Sequence, residues 1–244
     1  MTERTTSYGR LCVGTRDELF GRAASLATEQ FAATPGPARF TWALTGGSTP
    51  GEWYRWVVQS KALPAELLGR TLFTVSDERY VPLSSDQSNL GNAQRQLLEP
   101  LNVPAALHRP WPTDLPPAEA AQAYARSWAG EFGPARAYDL CFVGMGDDAH
   151  TLSLFPGSPL LARPSSRLFE AIEVPGKGWR LTLTTAGLAA CGRIVVMTLG
   201  AGKAPALERV FKGTYDPLNA PSQILRDCAD RVYWLVDTAA ASRL

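Results

Sequence analysis

Five short runs of the chain are apolar at nearly every position: Phe40–Leu44 (FTWAL), Thr71–Val75 (TLFTV), Tyr138–Val143 (YDLCFV), Arg193–Leu199 (RIVVMTL) and Arg231–Val236 (RVYWLV). A strand with one solvated face alternates apolar and polar residues, whereas a strand covered on both faces has no polar side to show. The runs are rich in β-formers and end at glycine or other turn residues, so they predict buried strands. Between them apolar positions recur at helical spacing. Thr15-Arg-Asp-Glu18 has the form of a capping box opening a helix that runs to about Ala33. Pro50 to about Gln59, Asn89 to Leu98, Pro117 to about Trp128 and Gly202 to Phe211 follow the same period. Strands alternating with helices predict βαβ units, hence an α/β fold with a mostly parallel central sheet. Leu168–Val174 and Leu181–Thr184 predict a side sheet or extra hairpin, and TPGPAR (Thr34–Arg39) and PLNAPS (Pro217–Ser222) predict tight connections. No repeat, low-complexity tract or composition break interrupts the pattern, which predicts a single domain over residues 1–244.

Composition narrows the function classes. A chain of 244 residues, 45% hydrophobic and 19% charged, has enough apolar surface for a core without staples. The net charge is +1 and no lysine or arginine block stands out, so the basic footprint of a nucleic-acid binder is missing. A locally basic pocket for an acidic small molecule is compatible with that balance. Cys12, Cys141, Cys191 and Cys228 are far apart and form no C-x-x-C pair, which argues against a disulfide framework or structural zinc. The segment MTERTTSYGR has no apolar stretch of the secretory kind, and no run of about 18 apolar residues is present. The expectation is a cytoplasmic protein that binds no membrane.

Chemistry concentrates after the apolar runs. FTWAL leads into Thr45-Gly46-Gly47-Ser48-Thr49-Pro50. Two glycines let backbone approach a ligand closely, Ser48 or Thr49 can cap a helix, and a helix N-terminus attracts anions such as phosphate. The same residues serve equally as an ordinary capped strand-to-helix turn. TLFTV ends at Ser76-Asp77-Glu78-Arg79-Tyr80-Val81-Pro82. There Arg79 could clamp an anion, and Asp77 and Glu78 could bind sugar hydroxyls or orient Arg79. A solvated loop with internal salt bridges fits as well. Ser88 or Asn89 could cap the helix that follows.

YDLCFV leads into GMGDDAHTLSLFPGSP, starting at Gly144. Its first letters match a dinucleotide fingerprint, but Pro156 and Gly157 come too soon for the required helix, and Asp147 and Asp148 would repel a pyrophosphate. The better reading is a turn that presents His150, with Asp148 placed to orient the imidazole. The other histidine, His108, sits in a proline-bounded connection with no obvious companion. No second metal ligand lies near His150, so no metal is expected. Arg180 precedes alternating threonines, and Lys203 opens a helix after Gly200-Ala-Gly202. A lysine at a helix start opposes the helix dipole, so it is better placed if an anion sits there, although a surface lysine is the ordinary alternative.

LTGGSTP, SDERYVP followed by DQSN, GMGDDAHTLSLFP, RLTLT and GAGK, in that order, resemble the signature of 6-phosphogluconolactonases. These belong to a superfamily with glucosamine-6-phosphate deaminases and ribose-5-phosphate isomerases. The resemblance implies a Rossmann-like three-layer α/β/α fold and hydrolysis of the δ-lactone of 6-phosphogluconate. It further implies that Gly46, Gly47, Ser48, Thr49, Arg180 and Lys203 hold the 6-phosphate. Asp77 and Arg79 line the sugar end, and His150 is the general base. No cofactor or metal is implied, and the partner is a small sugar-phosphate lactone met by a monomer or weak homodimer.

One departure bears on the base. The family pattern reads Asp-Gly-His where this chain has Asp148-Ala149-His150. If that position needs a positive φ, alanine costs about 1 kcal/mol or shifts the loop; a negative φ would make it harmless. Asp147 adds negative charge beside the base. Two other functions share these motifs: a sugar-phosphate isomerase or deaminase using a carboxylate base such as Asp77, and a non-catalytic sugar-phosphate sensor. Against the first, the histidine segment continues Ser153-Leu-Phe-Pro156 without a carboxylate.

Overall fold

The computed structural model describes residues 1–34 and 39–244. The central part of the expected TPGPAR connection lies outside the described residues. The five apolar runs become β3 (Phe40–Leu44), β4 (Thr71–Val75), β6 (Leu140–Gly144), β9 (Arg193–Thr198) and β10 (Val232–Asp237). β6 starts two residues later than YDLCFV suggests because the Asp139 carboxylate itself accepts the Thr41 backbone N–H at 2.8 Å, replacing a ladder bond at the strand's entrance.

Two strands were not apparent from the pattern: β1 (Thr2–Thr6) and β2 (Gly9–Gly14), an antiparallel hairpin. β1 is an edge strand that is exposed along most of its length, so it carries no apolar periodicity. Among the described residues the main sheet runs β1-β2-β10-β9-β6-β3-β4, parallel except for the first pair. β3 and β4 are buried at every residue. Since alternate residues face opposite sides, both faces are covered, which gives the expected layered α/β/α arrangement.

The helices are α1 (Arg16–Ala33), α2 (Ser48–Ser60), α3 (Ala65–Arg70), α4 (Asn89–Ala93), α5 (Pro117–Phe132), α6 (Pro159–Ala162), α7 (Thr185–Ala189) and α8 (Ala204–Lys212). The capping box is present: Thr15 Oγ1 accepts the Glu18 N–H and the Glu18 carboxylate accepts the Thr15 N–H. The expected helix over Asn89–Leu98 is α4 followed by a five-residue π-helical turn, with Ser88 as its cap. His108 has a companion after all: Gln94 Nε2 lies 3.1 Å from its Nδ1, and its segment bridges to Phe73 beside β4.

The side sheet contains β5 (Asp77–Arg79), β8 (Gly178–Leu183) and β7 (Phe169–Val174), in that order and antiparallel. The expected hairpin is therefore present, but SDER is not the loop that its charge suggested. Its backbone steps from one sheet to the other at Ser76, whose N–H donates to Leu44 and whose carbonyl accepts from Leu183. α5 packs on β7 and β8, where Trp111 stacks on Tyr124 with ring centroids 4.0 Å apart and its indole N–H donates to the Val75 carbonyl. This aromatic wedge fixes the side sheet over the C-terminal ends of the main strands.

Glu78 shows why a charged run can be internal. It is 3% exposed, and its carboxylate accepts bonds from the backbone N–H groups of Arg79, Asn89 and Leu90 and from the Ser88 hydroxyl. Burial presses its pKa upward against those bonds. Glu78 thus clamps the start of α4 rather than binding sugar. Truncation in Glu78→Ala strands several buried donors, so it should cost about 3 kcal/mol or more and lower Tm by about 6–12 °C. A thermal melt within 2 °C of the parent would refute the clamp.

Candidate active site

Three neighbouring parallel strands, β9, β6 and β3, end side by side. Their loops carry Lys203, His150 and the Gly46-Gly47 pair, and β5 brings Asp77 and Arg79 over the same edge. Ligands of open α/β sheets bind in this crevice beyond the strand ends. It consists of two lobes that share Asp77, Arg79, His150 and Leu152.

The first lobe, about 200 Å³, is walled by Thr45, Gly46, Gly47, Gly146, Asn89 and Lys203 together with the shared residues. Gly47 stands at the N-cap of α2 with φ 112°, a conformation that favours glycine, and no side chain caps the helix. Ser48 is the first helical residue instead of the expected cap, and neither it nor Thr49 lines the lobe. An uncapped 13-residue helix with its start at a lobe wall leaves N–H groups available to an anion. Gly46 is required for packing: a Cβ there would overlap the Asn89 amide, which is anchored by donation to the Asp77 carbonyl at 2.8 Å.

The histidine loop has its own internal scaffold. The Gly146 N–H donates to the His150 carbonyl at 2.9 Å, and the Ala149 N–H donates to the Gly146 carbonyl at 3.0 Å. Ala149 has φ 66°, so the residue in the glycine position does occupy left-handed space, contrary to the harmless alternative. The loop keeps that shape because Ala149 is fully buried and its carbonyl accepts both the N–H and the hydroxyl of Ser222. Relief of alanine strain by Ala149→Gly, about 1–2 kcal/mol, is offset by about 0.4–1 kcal/mol of chain entropy and about 0.8 kcal/mol of lost methyl burial. The variant should melt within about 4 °C of the parent and keep kcat/KM within about threefold. A larger gain in activity would mean that alanine distorts the loop.

His150 Nδ1 lies 2.6 Å from Asp148 Oδ1, which also accepts the His150 backbone N–H at 3.0 Å. Burial raises the pKa of Asp148, but these bonds outweigh it and hold the carboxyl below its ordinary value. The aspartate therefore stays anionic wherever an imidazole acts as a base, and engages Nδ1 so that Nε2 is left for chemistry. The ring stacks on Phe155 at 4.1 Å between centroids, which fixes its plane. Asp147 points elsewhere: its carboxylate meets Lys203 Nζ at 2.6 Å, so its charge is directed to the lysine.

The second lobe, about 390 Å³, is lined by Gln87, Ser153, Phe155, Lys177 and Arg180 beside the shared residues. Arg180 and Lys203, expected together, thus line different lobes, with Arg79 facing both. Burial first, then the adjacent Arg79 charge, press the Arg180 guanidinium below its ordinary pKa. Such incompletely neutralised positive charge favours an incoming anion. Asp77 is nearly buried and accepts a bond from the Ser153 hydroxyl at 2.8 Å. Asn89, Leu152, Ser153 and Lys177 were not marked as site residues by the sequence. Asn89, Leu152 and Ser153 lay within conspicuous motifs, whereas nothing local distinguishes Lys177.

Residues 14–234 match the family model for glucosamine-6-phosphate isomerases/6-phosphogluconolactonase. A 6-phosphogluconolactonase from a Nostoc species is 36% identical over 214 residues, covering 84% of this chain and 85% of that protein. The human 6-phosphogluconolactonase is 31% identical, with 85% and 81% covered. The solved 6-phosphogluconolactonase from Trypanosoma cruzi superposes with a TM-score of 0.82 at 25% identity, covering 100% of this chain and 98% of that one. A monomeric glucosamine-6-phosphate deaminase at 17% identity, with a TM-score of 0.78, shares the fold. The chain belongs to the glucosamine-6-phosphate isomerase/6-phosphogluconolactonase family.

Proposed function

We propose that the protein hydrolyses 6-phospho-D-glucono-1,5-lactone to 6-phosphogluconate, the lactonase step of the oxidative pentose phosphate pathway. The observation that carries this reading is the oriented His150–Asp148 pair at the junction of two cationic lobes. The 6-phosphate binds in the first lobe against Gly46 and Gly47, where the start of α2 meets the lobe wall, with Lys203 as counter-ion. Arg79, and Arg180 beside it, extend the positive field along the sugar.

Phosphate binding energy then positions C1 of the lactone near Nε2 of His150. His150 removes a proton from water as its oxygen bonds to C1, and Arg79 stabilises the negative charge on the carbonyl oxygen. Collapse breaks the bond from C1 to the ring oxygen, which takes the proton back from the imidazolium and becomes a hydroxyl. These steps transfer a proton and exchange one bond at C1 for another without any redox change, and they call for no metal or organic cofactor. The fold in residues 1–244 works as one unit, as a monomer or weak homodimer in the cytoplasm. No helix among the described residues is long and apolar enough to cross a membrane, which is compatible with that location.

A coupled assay with freshly prepared lactone tests the reading, with acceleration well above spontaneous hydrolysis expected. Buried Asp77, placed at both lobes, supports the isomerase alternative. Interconversion of aldose and ketose phosphates without lactone hydrolysis would favour that alternative.

A further inference from the structure

Lys203 reaches the first lobe already paired. Its Nζ lies 2.6 Å from Asp147 Oδ1, and its side chain is 26% exposed whereas that of Asp147 is 76% exposed. Asp147 does not itself wall the lobe, so its carboxylate approaches the ammonium from the rim. The backbone beneath that carboxylate is anchored, because Arg209 on α8 donates to the Asp147 carbonyl at 3.0 Å. One side chain can therefore leave Lys203 without moving the loop that carries His150. The pairing also has a local cause: Lys203 leads directly into α8, where the helix dipole disfavours a cation lacking an anionic partner.

We propose that Asp147 is an internal stand-in for the substrate's phosphate, holding Lys203 in the free protein and giving it up when a phosphorylated ligand enters. The proposal rests on Lys203 being a phosphate ligand, as read above. Its consequence is selectivity. A monoanion offers Lys203 one charge in exchange for one and gains little, whereas a phosphate dianion offers more charge and also gains the N-terminus of α2. The exchange therefore keeps small monoanions off the lysine while admitting the dianion. It weakens binding of phosphorylated ligands in general, product included, so release is favoured as well. A neutral lactone has nothing to exchange and does not contest the pair.

The test uses the full chain and its Asp147→Asn, Lys203→Ala and double variants. Asp147 is exposed, so the fold is not at issue in its replacement. The readouts are the inhibition constant for inorganic phosphate and the KM values for the phosphorylated lactone and for glucono-1,5-lactone. Asp147→Asn should tighten phosphate inhibition and lower KM for the phosphorylated lactone by about three- to tenfold. It should leave KM for the unphosphorylated lactone within twofold. In the Lys203→Ala background the same replacement should change phosphate inhibition by less than twofold. If Lys203→Ala weakens phosphate inhibition but Asp147→Asn does not tighten it, the stand-in role is wrong and the phosphate reading survives. If Lys203→Ala leaves phosphate inhibition unchanged, Lys203 is not the phosphate ligand and both readings fall.

Discussion

His150→Ala should lower kcat for the phosphorylated lactone by about 10²–10⁴, with KM changed only a few-fold. The reasoning is geometric. The imidazole is oriented by a carboxylate at the lobe junction, and its plane is set by Phe155. The proposed phosphate contacts lie on other elements and survive the change, so binding should be largely retained. The background matters here because δ-lactones open spontaneously. Rates must be measured against enzyme-free controls, and the variant should approach them. Retention of more than a tenth of parental kcat would assign the base to another residue, with Asp77 the next to test.

Gly146→Ala should cost about 10²-fold in kcat while the protein melts close to the parent. A Cβ at this position would overlap the His150 ring and the Asp148 carboxylate, yet Gly146 has no positive φ and so loses no backbone freedom that alanine lacks. The ring must shift, and misplacement of a catalytic group by about 1 Å can cost that much rate. Gly144, two residues earlier, provides the control. Among the described residues a Cβ there meets no atom within 4 Å, so Gly144→Ala should fold and melt normally; because Gly144 lines the first lobe, its effect should fall on KM and leave the histidine's contribution to kcat in place. Equal kcat losses in the two variants, or a collapsed melting temperature for Gly146→Ala, would show that the glycine serves the fold rather than the histidine.

These two glycines show how much of the site was legible beforehand. G-x-G reads as a repeated feature in the sequence, but the two positions differ in purpose, and only the packing distinguishes them. The His150–Asp148 pair was legible because both partners lie in one short loop, where spacing of two residues constrains contact. Ser153–Asp77 was not, since its partners are 76 residues apart and meet only through the side sheet. Glu78 was misread for a related reason. Charge predicts exposure when a chain has no other information, and the four donors that make its burial tolerable come largely from the start of α4. Ala149 is the reverse case: the sequence identified the question of its φ, and the answer depended on the Ser222 anchor from a distant segment.

By itself the sequence determined the alternation of buried strands with helices, the mostly parallel sheet, the loops that carry the chemistry and the identity of the candidate base. These follow from periodicity and local turn chemistry, which one stretch of chain expresses without its neighbours. Only the tertiary structure decided the N-terminal hairpin, the shape of the crevice with Lys203 lining one lobe and Arg180 the other, and the pairing of Lys203 with Asp147. Each depends on strand order or on side chains reaching across between segments. A local pattern reports whether a residue is buried or exposed, not which distant residue it meets.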